Sequence, residues 1–160
     1  MSKSELKIRE LKETDISAAA ELMLRLKKLN GEFDSIFNVS EGAKAEAEQI
    51  LKDVIKEKTK HLAYVSERDG KILGLIVVNL IHRCYYLPEI EARIVDFYIM
   101  PEGRRTGSGK LLIDRTYKEL KARNVSLITA EFPALNPIAM KFYKSLGFRE
   151  IVGIYGKMLE

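Results

Sequence analysis

Cysteine is almost missing from this chain. Cys84 is the only one in 160 residues, so no disulfide framework and no cysteine-based zinc site can form within one molecule. Histidine is nearly as scarce: His61 and His82 are too few for most histidine-rich metal sites. Long apolar runs are missing too. The longest, Ile72 to Ile81, is broken by Gly74 and Asn79 and is far too short to span a bilayer. The first residues, Met1-Ser2-Lys3-Ser4-Glu5, carry no apolar core of a signal peptide. These absences lead to the expectation of a soluble, cytoplasmic protein of a reducing compartment, without metal and without a membrane partner. Charge of one sign is not in large excess. With 27 Lys and Arg against 23 Asp and Glu, the net charge is +4. That is too little to argue for nucleic acid, and a local anionic ligand accounts for it equally well.

What is present suits one globular domain. Apolar residues make up 46% of the chain and charged residues 31%, and ~150 residues is an ordinary domain length. No repeat or linker interrupts it, so residues 1–160 read as a single domain. Leu6 to Leu11 is a strand candidate. Thr14 or Asp15 then caps a helix that stops near Asn30-Gly31. A loop from Gly31 to Val39 follows, and Ser40 caps a second helix. His61–Glu67 and Lys71–His82 flank Arg68-Asp69-Gly70, a hairpin signal. Ile90–Ile99 is a further strand. A glycine-rich turn opens a helix to about Arg123, Val125–Phe132 is a strand, and Asn136–Leu146 is a helix punctuated by Asn136, Pro137 and Gly147. Phe148–Val152 and Tyr155–Leu159 read as closing strands. Antiparallel strands followed by a strand–helix–strand crossover predict an α/β fold, a mixed sheet with helices on both sides.

The segment richest in chemistry runs from Phe97 to Lys110. A strand ends, Pro101 forbids its continuation, and Gly103, Gly107 and Gly109 lead into a helix. Free N–H groups at that helix start, with the helix dipole, favour an anion. Arg104, Arg105 and Lys110 add charge; from Arg104 to Arg123 there are seven basic and two acidic residues. The spacing is wrong for a P-loop, because five residues separate Gly103 from Gly109 and Leu111 stands where a magnesium-binding hydroxyl belongs. It is also wrong for a dinucleotide fingerprint, since Leu112 occupies the third glycine position. The remaining alternative is an ordinary glycine-rich connection with solvated basic residues.

About 30 residues later comes Asn136-Pro-Ile-Ala-Met-Lys-Phe-Tyr-Lys-Ser-Leu-Gly-Phe148. With Arg104-x-x-Gly107-x-Gly109, this resembles the GCN5-related N-acetyltransferase (GNAT) family. The resemblance is strong from Val95 to Phe148, and the order of elements extends it over nearly the whole chain. It implies the acyl-CoA N-acyltransferase fold, a central twisted mixed sheet with about four helices, and acetyl-CoA as acetyl donor without a metal. Acetyl-CoA would lie between Ile90–Ile99 and Val125–Phe132. Backbone groups of Phe97, Tyr98 and Ile99 would pair with the pantetheine, and the Ile99 amide would polarise the thioester carbonyl. N–H groups from Arg105 through Thr106, Gly107, Ser108 and Gly109 to Lys110 would bind the pyrophosphate. Asn136 would contact the pantetheine, and Tyr143 matches the general acid.

Tyr143 also falls on an Ala139–Phe142–Tyr143–Leu146 stripe, so a core role is the competing reading. Glu131, five residues before Asn136, looks like the base position of members that acetylate ribosomal-protein N-termini. Histone-type members carry a glutamate where Arg93 stands here; Glu91 or a water chain is the substitute. The acceptor amine, on a small molecule or a polypeptide, would meet Glu32, Phe33 and Asp34, with Glu89 and Glu91. The family's closing hairpin is short here, so the acceptor wall is short or a second subunit of a homodimer completes it. A non-catalytic acyl-CoA-binding or regulatory domain of the same fold is the alternative function.

Overall fold

The computed structural model describes residues 4–160. The residues on which the leader expectation chiefly rests, Met1, Ser2 and Lys3, lie outside them. Five strands, β1 (Lys7–Glu10), β2 (His61–Arg68), β3 (Lys71–His82), β4 (Ile90–Ile99) and β5 (Leu127–Ala130), form one sheet in that order. All neighbours are antiparallel except β4 and β5, which are parallel. The helices are α1 (Ile16–Phe33), α2 (Ala43–Lys56), α3 (Ser108–Ala122) and α4 (Pro137–Ser145). No helix among the described residues is long and apolar enough to cross a membrane.

Alternation along the strands divides the core in two. Val65, Leu75 and Val77 meet Ala19, Ala20 and Met23 of α1 and Leu51 and Val54 of α2. Tyr64, Ile76, Val78 and Ile94 meet Leu112, Ile113 and Leu120 of α3 and Tyr143 of α4. Covered on both faces, β3 reads as an almost continuous apolar run. The β2–β3 hairpin turns at Asp69 (φ 53°) and Gly70 (φ 75°), the two left-handed positions that an Asp-Gly pair tolerates.

Several boundaries differ from expectation. Helix α1 does not stop at Asn30-Gly31 but runs on to Phe33. Gly31 is a packing glycine: a Cβ there would lie 3.1 Å from Asn38 Oδ1 and 3.2 Å from the Phe37 carbonyl oxygen. Glu32 and Phe33 are therefore the last turn of a helix rather than a loop. Asp15 stands at the N-terminus of α1 without capping it. Its carboxylate instead accepts from the Lys12 amide at 2.8 Å and pairs with Arg9 at 2.7 Å. Ser40 does not cap α2, which starts at Ala43 behind Gly42. Strand β5 is shorter than Val125–Phe132. The expected closing strands, Phe148–Val152 and Tyr155–Leu159, do not form: residues 149–160 are exposed and without regular structure. Gly153 and Gly156 interrupt the segment, and within the chain its apolar side chains find nothing to pack on.

Candidate active site

Three pieces of backbone meet at the parallel pair. The β4–β5 ladder runs only from Glu91↔Leu127 to Ile94↔Ala130, and its last bond is from the Glu131 amide to the Ile94 carbonyl, 3.1 Å. Beyond that point β4 continues for five residues without a partner on this side, so the sheet opens into a slot.

Which backbone groups face the slot is decided by a β-bulge. Register shifts between Val77 and Val78, which pair with Asp96 and Ile94 and leave Val95 as the extra residue. Val95 and Asp96 consequently both lie on the α1 side: Val95 packs on that core and Asp96 meets Lys27 of α1 at 2.7 Å. The Met100 amide donates to Leu73 of β3 at 2.7 Å. Backbone groups alternate along a strand, so Tyr98, opposite Leu75, also faces β3, while Phe97 and Ile99 face the slot. The expectation for Tyr98 is thus corrected: its backbone is occupied by the β3 ladder. The Ile99 carbonyl accepts from Arg104 Nε at 3.3 Å, leaving the Ile99 amide and both backbone groups of Phe97 directed into the slot.

The glycine turn follows directly. A short 3₁₀ turn, Pro101–Gly103, precedes Arg105 (φ 66°) and Gly107 (φ 82°), both left-handed. The Thr106 hydroxyl donates to the Gly103 carbonyl and accepts weakly, at 3.4 Å, from the Ser108 amide. The Ser108 side chain is buried and turned away, bonded to Ser66. Among the described residues, the amides of Arg105, Gly107, Gly109 and Lys110 have no hydrogen-bond acceptor. Thus four of the six amides expected to hold an anion are free and two are engaged in shaping the turn. Converging free amides at a helix start form an anion cradle.

Helix α4 forms the far wall. Asn136 Oδ1 caps it, accepting from the Ile138 and Ala139 amides at 3.1 Å each. Tyr143, two turns on, is buried and stacks on Phe132 (centroids 5.4 Å) while touching Phe142 and Phe148. Phe142 in turn stacks on Phe97 of β4 at 5.5 Å, tying α4 to the slot. The Tyr143 hydroxyl has no hydrogen bond among the described residues, yet it is not sealed from solvent. Burial, reinforced by the neighbouring Tyr117, pushes its pKa well above the usual tyrosine value, so it keeps its proton at neutral pH. The outer face of α4 borders a concavity of about 480 Å³ lined by Pro137, Ile138, Lys141, Phe142 and Ser145.

The carboxylates divide into two kinds. Glu91 is buried; it pairs with Arg93 at 2.9 Å and accepts from the Thr129 hydroxyl across the β4–β5 pair. Burial alone would raise its pKa, but the bonds from Thr129 and Arg93 outweigh it and hold the group below the ordinary glutamate value. Such a carboxylate is a clamp between strands and a poor proton acceptor, which weighs against Glu91 as base or acceptor ligand. Stability contributed by a depressed carboxyl is present above its unfolded pKa and lost as pH falls through the folded one. Glu91→Gln is therefore expected to lower the melting temperature at neutral pH, with the gap to wild type closing under acid; a gap independent of pH would refute the clamp.

Glu131, by contrast, is exposed at the point where the strands separate, 3.9 Å from Arg93. Glu32 and Glu89 are exposed, and Phe33 and Asp34 partly buried. Reading the sequence missed Asp96 and Lys27, although a carboxylate inside Ile94-Val95-Asp96-Phe97 is a visible anomaly. No group of three His, Cys, Asp or Glu side chains among the described residues is placed to hold a metal ion.

The α/β sheet thus opens into a slot beside a helix start whose free amides suit an anion. Residues 26–148 match the acetyltransferase (GNAT) family, and the chain belongs to it. Among curated relatives it is similar to the [ribosomal protein bS18]-alanine N-acetyltransferase of Escherichia coli (strain K12), 35% identical over 91 residues. That match spans 57% of this chain and 57% of the relative, so it reaches little more than half of either protein. Two solved structures share the fold. Aminoglycoside N-acetyltransferase AAC(6')-Iy in complex with CoA has a TM-score of 0.78 at 16% identity, covering 99% of this chain and 98% of that one. A predicted acetyltransferase with acetyl-CoA from Clostridium acetobutylicum has a TM-score of 0.76 at 17% identity, covering 96% of each.

Proposed function

We propose that residues 1–160 act as one acetyl-CoA-dependent N-acetyltransferase domain that delivers the acetyl group to a primary amine. The observation that carries this reading is the continuity of unpaired backbone from Phe97 and Ile99 to the free amides of Arg105, Gly107, Gly109 and Lys110. A pantetheine arm can extend β4 like a missing strand while its pyrophosphate reaches the cradle. Acetyl-CoA supplies an activated thioester; the chain's own groups do the rest. The Ile99 amide donates to the thioester oxygen as charge develops there. Asn136, its Oδ1 fixed by the cap, turns its amide nitrogen toward the arm. Tyr143 gives its proton to the departing sulfur. The amine loses a proton to Glu131, directly or through water, and the C–N bond replaces the C–S bond.

Alkyl amines are mostly protonated at neutral pH, with pKa near ~10, so a base is required below that value. Glu131→Gln is expected to slow turnover at neutral pH and to approach wild type as pH rises and the amine becomes neutral. A pH–rate profile unchanged by the substitution would transfer the role to water. The acceptor is a small-molecule amine or a polypeptide amine, including a protein N-terminus. A thiol-release assay across a panel of both kinds tests the function itself. CoA binding with no thiol release from any acceptor would favour the non-catalytic alternative.

A further inference from the structure

The sheet has two faces where it opens, and the side of α3 and α4 is only one of them. Along β4, Ala92, Ile94, Phe97 and Ile99 pack with α3 and α4. Alternation puts Glu91 and Arg93 on the other face, where Val95 joins the α1 core. Along β5, Ile128 and Ala130 pack with α3 and α4, so Thr129 and Glu131 share that second face. The bond from the Thr129 hydroxyl to Glu91 across the pair agrees. Helices α1 and α2 cover this face over β2 and β3, but no β5 residue belongs to their core. The strip over β5 therefore lies open, and the Glu131 side chain is 55% exposed there.

Arg93 stands on this open face between two carboxylates. Its Nε and Nη2 donate to the two oxygens of Glu91, at 2.9 and 3.3 Å. Glu91 is itself held by Thr129, so the plane of the guanidinium is fixed from behind. The other edge is turned toward Glu131: Nη1 lies 3.9 Å from Glu131 Oε2, beyond hydrogen-bond reach. Among the described residues Nη1 donates to nothing. A guanidinium with one edge locked and the other free is a donor set in place before any ligand arrives.

We propose that Arg93 Nη1 recognises a carbonyl oxygen beside the attacking amine, so that the acceptor is a peptide N-terminus rather than an alkyl amine. This rests on Glu131 as the base of the transfer. In an α-amino carbonyl group, nitrogen and oxygen lie about 3 Å apart. A nitrogen held by Glu131 at ~2.8 Å can therefore set that oxygen within ~2.9 Å of Nη1. A lysine side chain or a simple alkyl amine offers only methylenes at that point and leaves Nη1 without a partner. Charge favours a neutral carbonyl over a carboxylate. Glu91 and Glu131 already face the one guanidinium, and a free amino acid would bring a third negative group. The rest of the peptide leaves across the open strip over β5.

The test is a thiol-release comparison of alanine amide, free alanine and sec-butylamine, which lacks the oxygen, on wild type, Arg93→Met and Arg93→Lys. For each enzyme the ratio of kcat/KM for alanine amide to that for sec-butylamine is taken. Comparing this ratio between enzymes cancels the different basicity of the two amines. In Arg93→Met it should fall about 10- to 100-fold, the worth of one bond from a charged donor, and through KM more than kcat. CoA affinity by calorimetry should not change, because Arg93 faces away from α3 and α4. Arg93→Lys keeps a cation beside Glu91 and is the variant expected to fold as wild type does. Its compact ammonium cannot hold Glu91 and reach the acceptor together, so the ratio should fall there too. Wild type should prefer alanine amide to alanine. Equal ratios in wild type and in both variants would overturn the proposal and leave Arg93 as a partner of Glu91 alone. Alanine taken faster than its amide would overturn it in favour of a free amino acid. Thiol release from none of the three would be a different failure, removing the transfer reading itself and this inference with it.

Discussion

Tyr143→Phe is expected to bind CoA as wild type does, melt at the same temperature or slightly above it, and turn over ~10²–10⁴-fold more slowly, the usual worth of a general acid. The ring's three aromatic neighbours, Phe132, Phe142 and Phe148, touch phenylalanine as well as tyrosine. The hydroxyl donates to nothing in the protein among the described residues, so its removal breaks no bond. Its raised pKa makes a further expectation: the wild-type rate should show no alkaline loss from tyrosine ionisation below the ordinary value near ~10. Tyr143→Ala is a different experiment. It empties the centre of the aromatic cluster and should cost ~3–5 kcal/mol of stability. Turnover, CoA affinity and melting temperature on both variants separate chemistry from packing. Wild-type turnover in Tyr143→Phe would leave Tyr143 as core alone and hand the proton to solvent.

The second large effect is at the turn, where the two glycines should fail for different reasons. Gly107 holds φ 82°, and a Cβ built on it meets nothing within 4 Å. Gly107→Val is therefore harmful through the backbone. A left-handed residue with a Cβ costs ~1–2 kcal/mol, more when β-branched, and the turn relaxes away from the geometry that aims its free amides. CoA affinity should fall about 10-fold or more. Gly109 lies in the first turn of α3 with an ordinary φ, and its Cβ would rest 3.5 Å from the Phe97 ring and 3.8 Å from Ile99. Gly109→Ala is thus compatible with the helix and should raise the melting temperature slightly, while placing a methyl group between cradle and slot and weakening CoA. Arg105→Ala removes one exposed charge and should cost only ~2–5-fold. Calorimetry giving the glycine variants wild-type affinity would remove the backbone cradle from the account.

The parts that were legible in the sequence are those with local causes. Asp69-Gly70 sets a hairpin through two left-handed residues, and Asn136-Pro137 with Gly147 brackets α4 through cap chemistry and a positive φ. The glycine turn likewise announces free amides, the donors that any helix start leaves unpaired. The parts that were not legible depend on partners distant in the chain. Glu91 looks like a spare carboxylate until Thr129, 38 residues on, is seen donating to it. Gly31 looks like a helix terminator until Phe37 and Asn38 return to pack against it. The bulge at Val95 leaves no compositional mark, yet it decides that Phe97 and Ile99, and not Tyr98, face the slot. At the other end, Ile151 to Leu159 has the composition of strand, but the segment runs exposed and joins no edge of the sheet.

The slot also ties ligand to fold. A sheet that opens after Ile94 holds peptide groups at β4 and at the turn that only solvent or a ligand can satisfy, so the folded chain by itself is an unfinished hydrogen-bonded structure. A ligand that completes it binds the native state and not the unfolded one, and at 100 times its dissociation constant adds ~2.7 kcal/mol to stability. The melting temperature becomes a function of CoA concentration, and exchange of the Phe97 and Ile99 amides should slow in step with it. Cofactor supply would then set not only how fast the protein works but how much of it stays folded, and variants of marginal stability would persist where CoA is plentiful and be lost where it is scarce.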